Sequence, residues 1–130
     1  MRRVLFGLMV MGSLLFAEVQ HITASEDFLK KGITVVDIRT PGEWRETGIV
    51  KGSHTIMFFD ERGGYDVDNF LIELNRVVKK DEPFALICRT GSRTAMISDF
   101  LDKDLGYRVI NLQGGIMNLM RSGYKTTAYR

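Results

Sequence analysis

Cysteine occurs once in this chain, at Cys88. A lone thiol has no partner in its own chain, so it is no structural disulfide; it is either inert or used. His21 and His54 are the two histidines and match no ligand spacing, so no metal site is expected. Proline is limited to Pro41 and Pro83. There are no repeats, linkers or low-complexity stretches, so nothing divides the 130 residues into more than one domain. An excess of one charge is lacking too, with 18 basic residues against 16 acidic and a formal net charge of +2. That balance leaves no footprint for nucleic acid. The main apolar run, residues 4–16, falls short of the roughly 20 residues that span a bilayer.

That run reads differently. Arg2 and Arg3 precede it, only Gly7, Gly12 and Ser13 interrupt it, and the small residue Ala17 follows before charge resumes at Glu18. A basic start, an apolar middle and a small residue at the end form the three-part pattern of a secretory signal. Residues 1–17 are expected to be a signal peptide, or an anchor if left uncut. The working domain is then residues 18–130, and the protein is exported, periplasmic or secreted. Leu15, near the expected cut, is larger than the usual residue there. Cleavage removes two arginines and no acid, leaving 16 basic against 16 acidic residues and no stable membrane span.

From Val19 onward strand and helix patterns alternate. Residues 19–22 read as a strand. Ser25 caps a helix with an acidic first turn that ends at Lys30-Lys31-Gly32, and residues 34–39 read as a buried strand. Residues 40–44 form a turn or short helix with Pro41 near its start. Residues 53–58 are a further strand and 60–66 a polar, glycine-rich loop. Residues 68–80 are an amphipathic helix, with Phe70, Leu71, Leu74, Val77 and Val78 at three- and four-residue spacing. A strand at 84–88, a helix at 94–105, a strand at 107–112, a Gly114-Gly115 turn and a short helix at 116–121 complete the chain. The alternation implies an α/β fold, a mostly parallel sheet with helices on both faces. In such sheets ligands bind beyond the C-terminal strand ends. Cys88 falls there.

Arg89-Thr90-Gly91-Ser92-Arg93 follow the cysteine, and Thr94 opens the next helix. A thiol between a strand end and a helix start meets free backbone N–H groups, the positive pole of the helix and two guanidinium groups. A small buried hydrophobe is the commoner fate of a free cysteine. Five following residues suited to holding an anion argue for use instead.

Three stretches together resemble the single-domain rhodaneses, a family of sulfurtransferases. Residues 37–44, Asp-Ile-Arg-Thr-Pro-Gly-Glu-Trp, are similar to the family's first signature. Residues 88–94, Cys-Arg-Thr-Gly-Ser-Arg-Thr, are similar to its active-site loop. Leu112-Gln113-Gly114-Gly115-Ile116, with Gly123-Tyr124 after it, is similar to its C-terminal signature. Two positions depart from the pattern: Gly48-Ile49-Val50 lacks the usual histidine, and Leu119 stands where tryptophan is usual.

The resemblance implies the rhodanese-like three-layer fold with a five-stranded sheet, no cofactor, and sulfur transfer through a Cys88 persulfide. The implied donor is a small sulfur-containing anion such as thiosulfate, and the implied acceptor a thiol or a protein. The segment 88–93 is expected to curl into a nest of N–H groups, with Gly91 allowing the curl. Ser92 and Thr94 offer hydroxyl donors, and Thr94 is a candidate helix cap. Arg89 is placed at the cleft mouth to attract the donor. Arg93 is expected to do the same or to brace the loop from behind. Asp37 and Arg39, at a strand end, must be paired if buried, and the resemblance gives them a supporting role in holding the loop through hydrogen bonds. Glu43 and Trp44 read as packing and surface. Phe58, Phe59 and Tyr65 read as core or as a cover for the cleft.

Loop length weighs against the nearest rival. Cysteine phosphatases, including those on this fold, carry five residues between cysteine and arginine; here four separate Cys88 from Arg93. The smaller ring suits one sulfur atom better than a phosphoryl group. Two further readings remain: a sulfur-carrier or sulfide-binding module that works with a partner protein, and a catalytically silent interaction domain, against which the intact loop argues.

Overall fold

Strand β4 (Phe84–Ile87) is buried at every position, as expected for an unbroken apolar run with neighbours on both sides. The computed structural model describes residues 18–130. The expected signal segment, residues 1–17, lies outside the described residues. Around β4 stand β1 (Gln20–Thr23), β2 (Val35–Asp37), β3 (His54–Thr55) and β5 (Val109–Gln113), in the order β1-β5-β4-β2-β3. All four pairings are parallel. A helix lies in every connection, which is what parallel pairing requires: α1 (Glu26–Leu29), α2 (Pro41–Thr47), α3 (Val67–Val77) and α4 (Ser92–Lys103), with α5 (Gly115–Arg121) after β5.

The two-residue period of β4 divides the interior. Phe84, Leu86 and Cys88 join Phe70 and Leu74 of α3 and Ile97 and Leu101 of α4 in one core. Ala85 and Ile87 join Phe28 of α1 and Ile116 and Leu119 of α5 in the other. The result is three layers, with the cysteine on the α3/α4 side. Phe58 meets Phe70 edge-on and with Phe59 extends the first core, while Tyr65 packs on both from the exposed side.

Several boundaries differ from the sequence expectation. β3 is an edge strand of two residues, although Ile56 and Phe58 still donate N–H bonds to Asp37 and Ile38. Residues 40–44 do form a helix, α2, with a capping box between Thr40 and Glu43 and Pro41 in its first turn. α4 starts at Ser92 because Gly91, in the left-handed region at φ 99°, precedes it and lets the chain turn sharply from β4. Among the described residues no helix is long and apolar enough to cross a membrane.

Candidate active site

The central strand delivers Cys88 to the C-terminal edge of the sheet, where its side chain is fully buried. Gly91 turns its N–H back onto the thiol sulfur at 3.2 Å. This is the one backbone N–H that meets the sulfur among the described hydrogen bonds, fewer than a full nest. No side chain caps α4, so its first N–H groups stay free of side-chain partners just beyond the sulfur. Thr94 is not the cap. It is the third residue of the helix and is fully buried, with its hydroxyl 3.5 Å from Cys88 Sγ, 3.2 Å from the Gly91 carbonyl and 2.6 Å from Asn111 Oδ1. Thr90 and Ser92 face solvent.

From the other side α5 grips the loop. Ile116 N–H donates to the Cys88 carbonyl at 2.9 Å and Met117 N–H to the Arg89 carbonyl at 3.1 Å. Only glycine allows this approach at Gly115: a Cβ there would lie 2.5 Å from both carbonyl oxygens. The double glycine is therefore the docking point of α5 on the active loop. Leu119, at the departing tryptophan position, is fully buried in the second core.

Both loop arginines are held by α2. Arg93 makes a two-pronged pair with Glu43, each prong 2.8 Å, and so ties the start of α4 to α2. The Arg93 guanidinium holds the Glu43 carboxyl down at about 2, and Glu43 in turn pushes Arg93 further up. Arg89 is half-exposed at the mouth, 3.2 Å from Glu46 and 3.8 Å from Glu43. Its hydrogen bonds to Glu46 raise it as well. Glu43 is thus part of the site's frame and not a surface residue.

Asp37 and Arg39 are fully buried and paired, with Arg39 Nη2 2.8 Å from Asp37 Oδ2. The expectation that they bond to the active loop is corrected by the geometry. Arg39 spends its remaining donors on the Thr47 hydroxyl at 2.8 Å and the Gly48 carbonyl at 3.0 Å, and Trp44 Nε1 donates to Asp37 at 3.0 Å. All these partners belong to α2 or its end, because the strand's C-terminus feeds directly into that helix. Trp44 is buried and carries a specific hydrogen bond, which its reading as packing missed.

Asn111 and His21 also join the site. Asn111 Nδ2 lies 3.0 Å from His21 Nδ1, while its oxygen takes the Thr94 hydroxyl. A single amide inside the apolar strand 107–112 was a usable signal, since a buried amide needs partners.

The rhodanese-like domain family matches residues 21–122. The chain belongs to that family. A rhodanese-related protein from Thermoplasma volcanium is similar at 26% identity and a TM-score of 0.58, over 79% of this chain and 94% of that one. A rhodanese-like domain protein from Staphylococcus aureus shares the fold at 22% identity and a TM-score of 0.61, over 85% and 100% of the two chains. The fold is also shared, at 22% identity and a TM-score of 0.58, by a Rhodopseudomonas palustris protein described as a possible tyrosine phosphatase, over 82% and 84%. No curated protein sequence matches the chain. Membership in the rhodanese-like family ties the domain to sulfur transfer or related chemistry.

Proposed function

We propose that the protein is a sulfurtransferase that moves a sulfane sulfur from a small anionic donor such as thiosulfate to a thiol or protein acceptor. The reading is carried by Cys88 Sγ at the end of the central strand, under the Gly91 N–H and the first turn of α4. The Cys88 thiolate attacks the donor's outer sulfur. A Cys88 S–S bond forms, the donor's S–S bond breaks, and sulfite leaves with the electron pair. An acceptor thiolate then attacks the terminal sulfur and returns Cys88 as thiolate. One difficult transfer becomes two easier ones. The Gly91 N–H and the helix pole favour the anion at each stage. With four residues between Cys88 and Arg93 the loop suits one sulfur atom. Residues 1–17 add an exported, periplasmic or secreted setting to this proposal, where the persulfide must be used before it is oxidised further.

A second reading, a sulfur carrier that turns over poorly without a partner, draws on two observations. Cys88 is fully buried, and both loop arginines already have carboxylate partners. Intact mass before and after thiosulfate treatment, beside Cys88→Ser, tests the proposal. A gain of one sulfur on the wild type alone supports it, and steady transfer to cyanide then separates enzyme from carrier. No gain with thiosulfate or with a small-molecule persulfide overturns both readings.

A further inference from the structure

Sulfur transfer as proposed gives His21 no task. Yet His21 stands opposite Asn111 in the parallel register of β1 on β5, and three contacts join its ring to the buried sulfur. His21 Nδ1 to Asn111 Nδ2 is 3.0 Å, Asn111 Oδ1 to Thr94 Oγ1 is 2.6 Å, and Thr94 Oγ1 to Cys88 Sγ is 3.5 Å. Thr94 and Cys88 are fully buried and Asn111 is 2% exposed.

The chain takes its direction from the Thr94 proton, whose nearest acceptor is Asn111 Oδ1 at 2.6 Å, ahead of the Gly91 carbonyl at 3.2 Å. Thr94 has one hydroxyl proton. Given to Asn111 Oδ1, it leaves Oγ1 only as an acceptor toward sulfur, which suits a Cys88 S–H. Asn111 then points its NH2 at His21, whose Nδ1 must be bare, with the ring proton on Nε2. A sulfur anion needs the reverse. Thr94 must donate to sulfur, Asn111 must turn over to donate to Thr94, and His21 must offer an Nδ1–H to Asn111 Oδ1. An imidazolium always carries that proton, whereas neutral imidazole must change tautomer.

We propose that His21 is a positioning residue for Cys88, and that the chain Cys88–Thr94–Asn111–His21 reverses as a unit when the sulfur becomes an anion. No proton travels along it. The thiol proton leaves to water at the mouth, His21 takes its proton from water, and only the hydroxyl and the amide reorient. The inference rests on Cys88 being the reacting group, as in the proposed function, and on no particular donor. Charge on the sulfur and a proton on His21 then favour each other reciprocally. The other residues around the hollow beside His21 are Thr90, Ala95 and Gln113 with Gly91 and Gly114, none of them charged. The charges near the sulfur come from α4, the loop and α2, as Arg93 with Glu43 and Arg89 with Glu46.

Two measurements on the full domain test this without any sulfur donor. The first is the rate of Cys88 alkylation by iodoacetamide against pH, in wild type and in His21→Gln, which accepts and donates but does not titrate. At the acid end of the range His21→Gln is expected to react about fivefold more slowly, a typical coupling between linked sites, with the two rates converging at high pH. A ratio constant across pH overturns the proposal. The second is the nitrogen NMR of the His21 ring at about pH 9.5, above the ordinary thiol range, with exposed His54 as internal reference. Wild type should show the Nδ1–H tautomer and Cys88→Ser the Nε2–H tautomer. The same tautomer in both proteins overturns it. Failure of sulfur loading with both measurements positive would remove the proposed function and leave the coupling standing.

Discussion

Replacing Gly115 with alanine tests how α5 holds the active loop. The new Cβ would lie 2.5 Å from the carbonyl oxygens of Cys88 and Arg89, and 2.6 Å from the Arg89 carbonyl carbon. These are backbone atoms, so no side chain can swing aside, and either the loop or the helix must move. At φ 60° alanine also carries the left-handed penalty, about 1–2 kcal/mol. Movement lengthens the bonds from Ile116 and Met117 to the two carbonyls, at about 1 kcal/mol each. The expected loss is about 3–4 kcal/mol, against a typical domain stability of about 5–15 kcal/mol. Gly123→Ala is the control: its φ is 101° but nothing lies within 4 Å of its Cβ, so it should lose only the strain, about 1–2 kcal/mol. Urea unfolding of the three proteins measures the difference, and thiosulfate loading of the folded fraction reports on the loop. Equal destabilisation by the two substitutions, or full loading in Gly115→Ala, would refute the docking argument.

Glu43 provides an acid signature. Its carboxyl is lowered from 4.5 to about 2, chiefly by the Arg93 hydrogen bonds, so its stabilisation is present above pH 4.5 and fades as pH falls toward 2. At 1.36 kcal/mol per unit the shift would amount to about 3 kcal/mol, and solvent screening reduces this to about 1–2 kcal/mol. Glu43→Gln should therefore weaken the fold by that amount at neutral pH and by little near pH 2; equal losses in urea titrations at both pH values would contradict the pairing. Arg89→Ala should raise KM for thiosulfate about threefold, the scale of an exposed ion contact, with a neutral sulfur donor unaffected, and equal losses for both donors would remove Arg89 from donor attraction. Ser98 is fully buried on α4 with no hydrogen-bond partner for its hydroxyl, so Ser98→Ala should stabilise the domain by about 0.5–1 kcal/mol. A lowered melting temperature would show that the hydroxyl is satisfied in solution.

Local pattern made the layers legible and left the cross-links out of sight. The apolar run ending at Cys88 and the three- and four-residue spacing in α3 predict their elements because periodicity reports burial. The start of α4 was misplaced since a left-handed glycine caps without a side chain, so Thr94 looked like the cap, three residues after Gly91. The pairing of Arg93 with Glu43 spans fifty residues. Charge partners on separate elements leave no periodic trace, and Glu43, read by itself, is an ordinary exposed acid. Asn111 differs, because a polar residue at an inward position of a buried strand demands a partner. His21 had no such signal, since it lies exposed on the outermost strand and its meaning comes only from the β1–β5 register.

The first signature supports the loop at one remove. Removing either member of a buried pair leaves an uncompensated charge, so Asp37 and Arg39 constrain each other strongly while adding little net stability as a pair. What they add is position. Arg39 reaches Thr47 and the Gly48 carbonyl at the end of α2, and Asp37 receives Trp44 from its middle. The helix is thereby fixed in rotation as well as in place. Its Glu43 and Glu46 then meet Arg93 and Arg89 on the loop. A helix free to roll by one residue would swing those carboxylates by about 100°, since 3.6 residues make a turn, and take them away from both guanidinium groups. The buried pair thus fixes, through α2, where the two carboxylates meet the loop arginines, without a side-chain bond to the loop itself.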